Sequence, residues 1–315
     1  MPTAERQITL RFLAAPNDAG YSGNVSGGRV MEWIDKAGYA CAVGWSGAYS
    51  VTAYVGNVRF SRQVTVGDLV EATAKLVHTG RSSMHILVTV RSGSVQDRVL
   101  TDATQCLMIF VALGADGRST PVPPWQPVTA DDREQQAAAQ RRVGLRADIE
   151  AAMADQQYTD EGTAPSVVLR FLAAPTDVNW GGKVHGGIVI RWIDEAAHVL
   201  ASQWASSPAN GAVYAGGVRF YRPLLIGNLV EVEGRLLLTV ANQMHISVHV
   251  RSSAATTSLL ELTTHSLIVF APDEADSSPA TPLWHPVSDE DRALEEHALH
   301  LIRLRSRLEG PHPRR

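Results

Sequence analysis

The chain has 315 residues, of which 45% are hydrophobic, and its formal net charge is −4. This length is enough for about two domains with separate cores, and the weak charge gives no support to nucleic-acid or anionic-membrane binding. No apolar run approaches the ~20 residues that cross a bilayer, and the first residues lack the apolar core of a secretory signal. The two cysteines, Cys41 and Cys106, lie in apolar segments. We therefore expect a cytoplasmic protein with two buried thiols.

An internal repeat divides the chain into two similar halves. The heptapeptide LRFLAAP occurs at residues 10–16 and again at 169–175, an offset of 159 residues. GNVSGG then matches GKVHGG, MEWIDKAG matches IRWIDEAA, and SMHILVTVRS matches QMHISVHVRS. A repeat this long indicates two copies of one domain. The predicted parts are a first domain, a helix with a linker, a second domain, and a C-terminal helix with a basic tail, at residues 1–128, 129–165, 166–287 and 288–315.

The second half shows the order of elements most clearly. An apolar run rich in β-branched residues predicts a strand at 167–172, and a glycine-rich turn at 181–187 precedes a proline-free apolar segment at 188–204 that predicts a buried helix. Four further runs predict strands with no helix between them, at 213–220, 229–238, 244–251 and 259–270. A helix lying across an antiparallel sheet makes an α+β domain, present twice.

Two smaller patterns complete this reading of the chain. Thr129 and Ser288 each stand three residues before an aspartate, which predicts helix N-caps after each sheet. Alternation in the strand runs places His85, His245 and His249 on the face expected to be exposed, without partners at metal-ligand spacing. The basic C-terminal run is expected to be a solvated helix end and a frayed tail.

The helix predicted at 188–204 carries a narrow polar stripe of Arg191, Asp194, Glu195 and His198. From periodicity alone, a solvated surface with an Arg191–Glu195 ion pair explains this pattern better than a functional site does. In the first half the aspartate is kept as Asp35. Small residues beside each aspartate leave room for another helix or for a ligand.

A pair of glycines opens each of the two buried helices, at residues 27–28 and 186–187. Backbone N–H groups at a helix N-terminus favour negative charge, so these turns can stabilise a developing oxyanion. The sequence contains no G-x-S-x-G, P-loop or H-E-x-x-H pattern, which removes support for serine-hydrolase, nucleotide-phosphate and zinc-protease chemistry.

These segments together resemble a known family. LRFLAAP, GNVSGG with MEWIDKAG, VRFSRQVTVGDLVEATAKL, TGRSSMHILVTVRS and PVPPWQPVT are similar to the hotdog-fold acyl-CoA thioesterases. Since both halves carry the pattern, over about residues 8 to 290, the chain resembles the double-hotdog cytosolic acyl-CoA hydrolases. The resemblance implies tandem hotdog domains, each an antiparallel sheet wrapped around a long central helix. It also implies hydrolysis of acyl-CoA to fatty acid and CoA between the two hotdogs, no metal or other cofactor, and a homo-oligomer that is a trimer of double hotdogs.

The resemblance also assigns site residues. In the family an Asn or Asp just before the GG turn works with an acidic residue on the partner's central helix, and these roles fall on Asn24 and on Asp194 as general base. The reciprocal pair is Lys183 with Asp35. Because a lysine cannot accept a hydrogen bond from the attacking water, and would ion-pair with the aspartate, we expect this second site to be degenerate.

Two further assignments follow from the resemblance. Backbone N–H groups at Gly28 or Gly187 are expected to stabilise the oxyanion. The family's segment that meets coenzyme A is expected to be Gly80, Arg81, Ser82, Ser83 and Met84, and its counterpart at 240–244 has lost the pattern.

Two other functions remain open at this point. A hotdog dehydratase or hydratase would use a catalytic histidine, and His185 and His198 lie near the right helix. A catalytically inactive acyl-CoA-binding protein is the alternative from a different class, because one site already departs from the family pattern.

Overall fold

The computed structural model describes residues 5–154, 156, 158–159, 161–208, 210–272 and 280–309, without the side chains of 142–146 and 307–309. The first half contains six strands and one α-helix, and a second α-helix follows it: β1 (Gln7–Leu13), α1 (Gly27–Ser46), β2 (Ser50–Val55), β3 (Val58–Arg59), β4 (Leu69–Thr79), β5 (Ser83–Gly93), β6 (Thr101–Ala112) and α2 (Ala130–Ala154). The second half repeats this order: β7 (Ser166–Leu172), α3 (Gly186–Ala205), β8 (Asn210–Ala215), β9 (Val218–Arg219), β10 (Leu229–Val240), β11 (Gln243–Ser253), β12 (Glu261–Pro272) and α4 (Asp289–Glu309). The predicted α+β order is confirmed in both halves.

The strands form two six-stranded antiparallel sheets that exchange one short strand. Their orders are β1-β4-β5-β6-β2-β9 and β3-β8-β12-β11-β10-β7. The single strand predicted at 213–220 is therefore two strands, because the chain crosses to the other sheet after β8. Gly217 lies at this crossing, where a Cβ atom would stand 2.2 Å from the Tyr54 hydroxyl. The exchange ties the two halves into one body.

Helices α1 and α3 are the buried helices at the centre of the two halves. Trp33 of α1 meets Phe12 edge-on with ring centroids 4.9 Å apart, and Trp192 of α3 meets Phe171 in the same way. At Gly38, a Cβ atom would lie 2.8 Å from the ring of Phe110. The small residue beside Asp35 in the first half therefore makes room for a core phenylalanine, not for a ligand.

The helices that follow the sheets begin as their capping residues predict. The Asp132 N–H donates to Thr129 Oγ1 over 3.1 Å, and the Asp291 N–H donates to Ser288 Oγ over 3.0 Å. In return, each aspartate accepts from the backbone N–H of its capping residue, which closes a reciprocal cap.

The prediction of exposed histidines is wrong. His245 and His249 are each 5% exposed and His85 is 6% exposed. The helices that follow the sheets pack against them, α2 on β4 and α4 on β10, so alternation along a strand does not expose the outer face. The prediction of a solvated C-terminal helix end is also wrong at Arg305, because this residue is buried. The predicted tail at 310–315 lies outside the described residues.

Candidate active site

Two cavities lie where the start of one central helix meets the middle of the other. The first, about 340 Å³, is lined by residues that include Asp35, Thr52, Asn179, His185 and Gly186. The second, about 270 Å³, is lined by residues that include Asp194, Ala212, Ser26, Gly27 and Gly20. Each cavity thus takes its aspartate from one half and its glycine-rich turn from the other. Neither aspartate lies on a solvated surface, because Asp35 and Asp194 are 1% and 5% exposed.

Asp35 is held by three donors. Its Oδ1 accepts from Thr52 Oγ1 over 2.6 Å, and its Oδ2 accepts from the Gly187 N–H over 2.9 Å and meets His185 Nδ1 at 2.8 Å. Burial lowers the pKa of His185, but the hydrogen bond and negative charge of Asp35 outweigh it and leave that pKa above its usual value. We therefore place the proton on Nδ1, and Asp35 is the acceptor for both His185 and Gly187.

Asn179 stands in the glycine-rich turn before α3 with its side-chain amide fixed. Its Oδ1 accepts from the N–H groups of Gly181 (2.9 Å) and Lys183 (3.1 Å) and from the Tyr49 hydroxyl (3.3 Å). Its Nδ2 has one long contact, 3.5 Å to the Val184 oxygen. Because the oxygen is satisfied within the protein, the amide N–H groups are left to bind a ligand in the cavity.

Asp194 is buried with fewer hydrogen-bond partners than Asp35. Burial raises its pKa to about 6, the hydrogen bonds from the Gly28 N–H and the Ser26 side chain oppose this rise, and the charge of Glu195 adds to it. The Arg191–Glu195 ion pair predicted along this helix is present at 3.5 Å. A buried carboxyl group with a raised pKa is common at functional sites, but ion-pair networks also produce one.

The two sites differ at the position of Thr52. In the sheet, Thr52 is paired with Phe110, and Ala212 is paired with Phe270 in the same register. A Cβ atom on Gly186 would be 3.3 Å from Thr52 Oγ1, and one on Gly27 would be 3.0 Å from Ala212 Cβ. A methyl group therefore lies beside Asp194 where a hydroxyl group lies beside Asp35.

The two sites also differ at the position of Asn179. The turn around Asn179 is closed by its N–H donating to the Lys183 oxygen over 2.6 Å, and the first half repeats this bond from Gly20 to Asn24 over 2.7 Å. Gly20 is thus the counterpart of Asn179, and the second cavity has no amide at this place. The sequence reasoning missed this pair and Thr52. Applying the offset of 159 residues throughout the turn would have shown Gly20 against Asn179.

The residues predicted before the GG turns lie elsewhere than expected. The Asn24 side chain donates to Gln63 Oε1 over 2.9 Å, and among the described residues it is not part of the lining of the Asp194 cavity. Lys183 does line the Asp35 cavity. The expected ion pair between Lys183 and Asp35 is absent from the described contacts, because His185 occupies the carboxylate instead.

The two predicted oxyanion donors hold the aspartates instead of facing the cavities. The Gly187 N–H donates to Asp35 and the Gly28 N–H to Asp194. The preceding residues, Gly186 and Gly27, line the cavities. Among the described residues, neither of these N–H groups donates a hydrogen bond, so the first N–H of each central helix is the available donor.

The segment expected to meet coenzyme A forms the β4–β5 hairpin. Gly80 donates to the Ser83 oxygen over 2.8 Å to close the turn, and Arg81 is exposed. Met84 is fully buried in the core. None of the five residues lines either of the two cavities described above, so any contact with the nucleotide would be on the surface.

Two kinds of feature are absent from the described part of the chain. There is no group of three or more His, Cys, Asp or Glu side chains placed to hold a metal ion. There is also no helix that is both long enough and apolar enough to span a membrane. Both cysteines are buried thiols outside any disulfide, as predicted.

Comparisons with known proteins agree with this arrangement. The family model of the thioesterase superfamily matches twice, at residues 22–98 and 181–258. Acyl-CoA thioester hydrolase YciA of Salmonella typhimurium is 33% identical over 124 residues, which cover 38% of this chain and 93% of YciA. The human cytosolic acyl coenzyme A thioester hydrolase is 21% identical over 333 residues, which cover 98% of this chain and 86% of the human protein.

Solved structures of two thioesterases are also similar to this chain. A structure from Lactobacillus plantarum, provisionally named an oleoyl thioesterase, has a TM-score of 0.59 at 10% identity and covers 86% of this chain and 98% of that one. It shows a shared fold. An apo-hexameric acyl-CoA thioesterase is 30% identical over 47% of this chain and 96% of its own, with a TM-score of 0.45. The chain belongs to the thioesterase superfamily, as a tandem pair of hotdog domains related to the acyl-CoA thioester hydrolases.

Proposed function

We propose that the protein hydrolyses acyl-CoA to a free fatty acid and CoA at the Asp35 site. The observation that carries this proposal is the meeting, in one cavity, of the Asp35 carboxylate with the Thr52 hydroxyl and the Asn179 amide. The names of its relatives support the substrate, since YciA and the human protein are both called acyl-CoA thioester hydrolases. No described residue supplies an amide or a hydroxyl at the corresponding places beside Asp194.

Asp35 is the general base. A carboxylate has about four lone-pair positions, and Thr52, His185 and Gly187 occupy three of them. The remaining position can accept a hydrogen bond from water that lies against the thioester. General-base assistance of this kind contributes roughly 10²–10⁴-fold. The same three partners keep the carboxylate from turning away, so they are positioning residues.

The carbonyl oxygen of the thioester is bound by the Gly186 N–H and the Asn179 amide. Both groups border the cavity and neither N–H is satisfied by a short bond within the protein. The positive end of the α3 dipole lies at the same place, which favours the negative charge that develops on this oxygen. Each such donor is worth roughly 10²–10³-fold in rate.

The reaction proceeds in two steps. Water attacks the carbonyl carbon as Asp35 takes its proton, and the carbonyl electron pair moves to the oxygen held by Gly186 and Asn179. The tetrahedral intermediate then collapses, the C–S bond breaks, and the sulfur leaves with the bond pair. The proton held by Asp35 passes to this thiolate or to solvent, which restores the carboxylate. The products are a carboxylic acid and CoA.

This assignment reverses the roles expected from the sequence. Asn24 with Asp194 was expected to be the working pair and Lys183 with Asp35 the degenerate one. The contacts favour the opposite, because Asn24 is bonded to Gln63 and the amide beside Asp35 belongs to Asn179. Lys183 then has a different role in the lining of the Asp35 cavity, where its charge suits the phosphates of CoA.

The remaining expectations stay proposals. From the predicted coenzyme A segment we retain the accessible residues Gly80, Arg81, Ser82 and Ser83, and not the buried Met84. We propose that the reaction needs no metal or other cofactor, and that the protein acts in the cytoplasm, as the name of its cytosolic human relative suggests.

We further propose that the chains form a trimer of double hotdogs. Leu13 and Leu172 end the edge strands β1 and β7 and are 56% and 59% exposed. Apolar side chains at such edges are protected when a neighbouring chain covers them. Light scattering after gel filtration should give about three times the 34.0 kDa of one chain. A mass of 34.0 kDa would contradict the trimer.

Thiol release tests the proposed activity. Wild-type protein and Asp35→Asn are incubated with acyl-CoA substrates of several chain lengths, and free CoA is detected with a thiol reagent. The wild type should release thiol and the variant should be slower by roughly 10²-fold or more. Wild-type protein that binds acyl-CoA but releases no thiol would instead be an acyl-CoA-binding protein. Hydration of an enoyl-CoA without thiol release would favour the hydratase.

A further inference from the structure

The cavity beside Asp194 has no role in the hydrolysis described above. It has about 270 Å³ of space against 340 Å³ for the Asp35 cavity, and it is built from the equivalent elements of the opposite halves. Phe60 forms part of its wall as Phe220 does in the first cavity. Its lining of aromatic rings with a buried carboxyl group is of the kind that binds ligands.

The second cavity keeps an aromatic lid at its entrance. The Tyr21 ring stacks on His198 with centroids 5.1 Å apart and planes at 16°. In the first cavity Trp180 stacks on Tyr39 at 5.0 Å and 4°. Tyr21 and Trp180 are among the most exposed large side chains, at 74% and 79%. The cost of such exposure suggests that each ring is covered when a ligand is bound.

The second cavity also keeps groups that recognise a thioester of CoA. Gly27 presents the first N–H of α1 to the cavity, as Gly186 does in the other site. Arg62 lies in the lining and donates to two neutral acceptors, the Ser92 oxygen and Thr101 Oγ1. Its charge is therefore not cancelled by these bonds and is available to a phosphate.

Charged groups of both signs complete the lining. Arg29 is paired with Asp18 at 3.2 Å, and Arg191 is paired with Glu195 at 3.5 Å. A carboxylate therefore neutralises the charge of Arg29 and another that of Arg191. Arg62, in contrast, donates to neutral acceptors and keeps its positive charge.

The second cavity lacks the reacting groups of the first, and Asn24, the counterpart of Lys183, lies outside its lining. Gly20 replaces the amide of Asn179, and Ala212 replaces the hydroxyl of Thr52. The walls, the lid and the helix N-terminus are retained. A site that had only decayed would not be expected to lose its chemistry and keep its binding surface.

We propose that the Asp194 cavity is a second acyl-CoA site, which binds the thioester and does not hydrolyse it. The proposal rests on the function proposed for the Asp35 site, because the ligand class is taken from the likeness of the two cavities. Each chain would then hold two acyl-CoA molecules and cleave one.

Calorimetric titration with a 2-oxoalkyl-CoA thioether tests this, because that compound keeps a carbonyl oxygen but has no thioester bond. The wild type should bind two molecules per chain. Ala212→Leu, which fills the second cavity, and the matched Thr52→Leu, which fills the first, should each bind one. One molecule per chain in the wild type, or two in folded Ala212→Leu, would overturn the proposal.

Two further measurements distinguish a lost binding site from a variant that does not fold. Thermal unfolding of each variant shows whether it is folded, and Arg62→Glu tests the second cavity without filling it. Arg62→Glu should weaken one of the two binding events at least about tenfold, since a charge-assisted phosphate contact is replaced by repulsion. Equal affinities in Arg62→Glu and the wild type would count against the site. Thiol release by the wild type with only one bound analogue would overturn this inference and leave the proposed function intact.

Discussion

The pH dependence of stability at Asp194 follows directly from its surroundings. Its pKa rises from 3.8 to about 6 because the carboxyl group is buried and the charge of Glu195 is near, and the hydrogen bonds from the Gly28 N–H and the Ser26 side chain offset this rise only in part. One pKa unit corresponds to about 1.36 kcal/mol, so ionised Asp194 lowers the free energy of unfolding by about 3 kcal/mol. The sign is set by proton binding: the folded state holds this proton at a pH where the unfolded state has lost it. The stabilisation by that proton is complete below about pH 4 and is lost as the pH rises to about 6.

The substitution Asp194→Asn removes this titration and keeps the shape of the side chain. The Gly28 N–H and the Ser26 side chain, which bond to Asp194, can still donate to the amide oxygen. Relative to the wild type, the variant should therefore gain about 3 kcal/mol in free energy of unfolding between about pH 4 and pH 7.5. Other groups titrate in both proteins and cancel in the difference.

Urea unfolding of both proteins at several pH values measures this difference. Ala212→Thr is the matched gain-of-partner variant, because it places a hydroxyl beside Asp194 as Thr52 does beside Asp35. A hydrogen bond to a charged group is worth about 1.5–3 kcal/mol, so this variant should recover much of the loss near neutral pH. A difference between Asp194→Asn and the wild type that does not change with pH would refute the reasoning.

Three further outcomes are expected. Thr52→Ala should lower kcat about tenfold or more, because a hydrogen bond to the Asp35 carboxylate is worth about 1.5–3 kcal/mol; a change in KM alone would contradict this role. Asn179→Ala should lower kcat/KM roughly 10²–10³-fold while Asn24→Ala stays within about twofold, and equal losses would count against the assignment. Burial and the charges of His265, Arg251 and Arg235 lower the pKa of His249 to about 3. Because the unfolded chain then binds a proton that the folded protein does not, the free energy of unfolding should fall as the pH drops from about 6.5 to 4. His249→Phe should show a smaller fall in urea unfolding, and an unchanged slope would contradict a buried neutral histidine.

The sequence predicts the scaffold well because the scaffold depends on local patterns. The repeat, the apolar helices and the alternating strands were sufficient to predict two α+β domains, and the acidic residues after Thr129 and Ser288 predicted two helix caps. The exchange of β3 and β9 between sheets was not predictable in the same way. It brings Gly217 against Tyr54 across the two halves, and no local pattern records such a contact.

The sites were predicted only in part, and for a different reason. Asp35 and Asp194 stand out because a carboxylate on an apolar helix is unusual. Asn179 does not stand out, since asparagine is common in glycine-rich turns, and its role depends on Tyr49 and two N–H groups that fix its amide. The equivalence of Thr52 and Ala212 is hidden by a second-half loop that is one residue longer before β8.

The buried histidines show a limit of strand patterns. His245 and His249 alternate with apolar residues as surface residues do, yet α4 packs against this sheet and both are buried. The alternation of residues along one strand does not predict whether another element packs against the outer face of the sheet.

The most direct test of the account compares the two aspartates in one thiol-release assay. Asp35→Asn and Asp194→Asn make the same chemical change at equivalent positions of the two halves, so each is the control for the other. We expect Asp35→Asn to lose roughly 10²-fold or more of the wild-type rate and Asp194→Asn to stay within about fivefold of it. Loss of activity in Asp194→Asn with activity retained in Asp35→Asn would contradict the account and restore the assignment first made from the sequence.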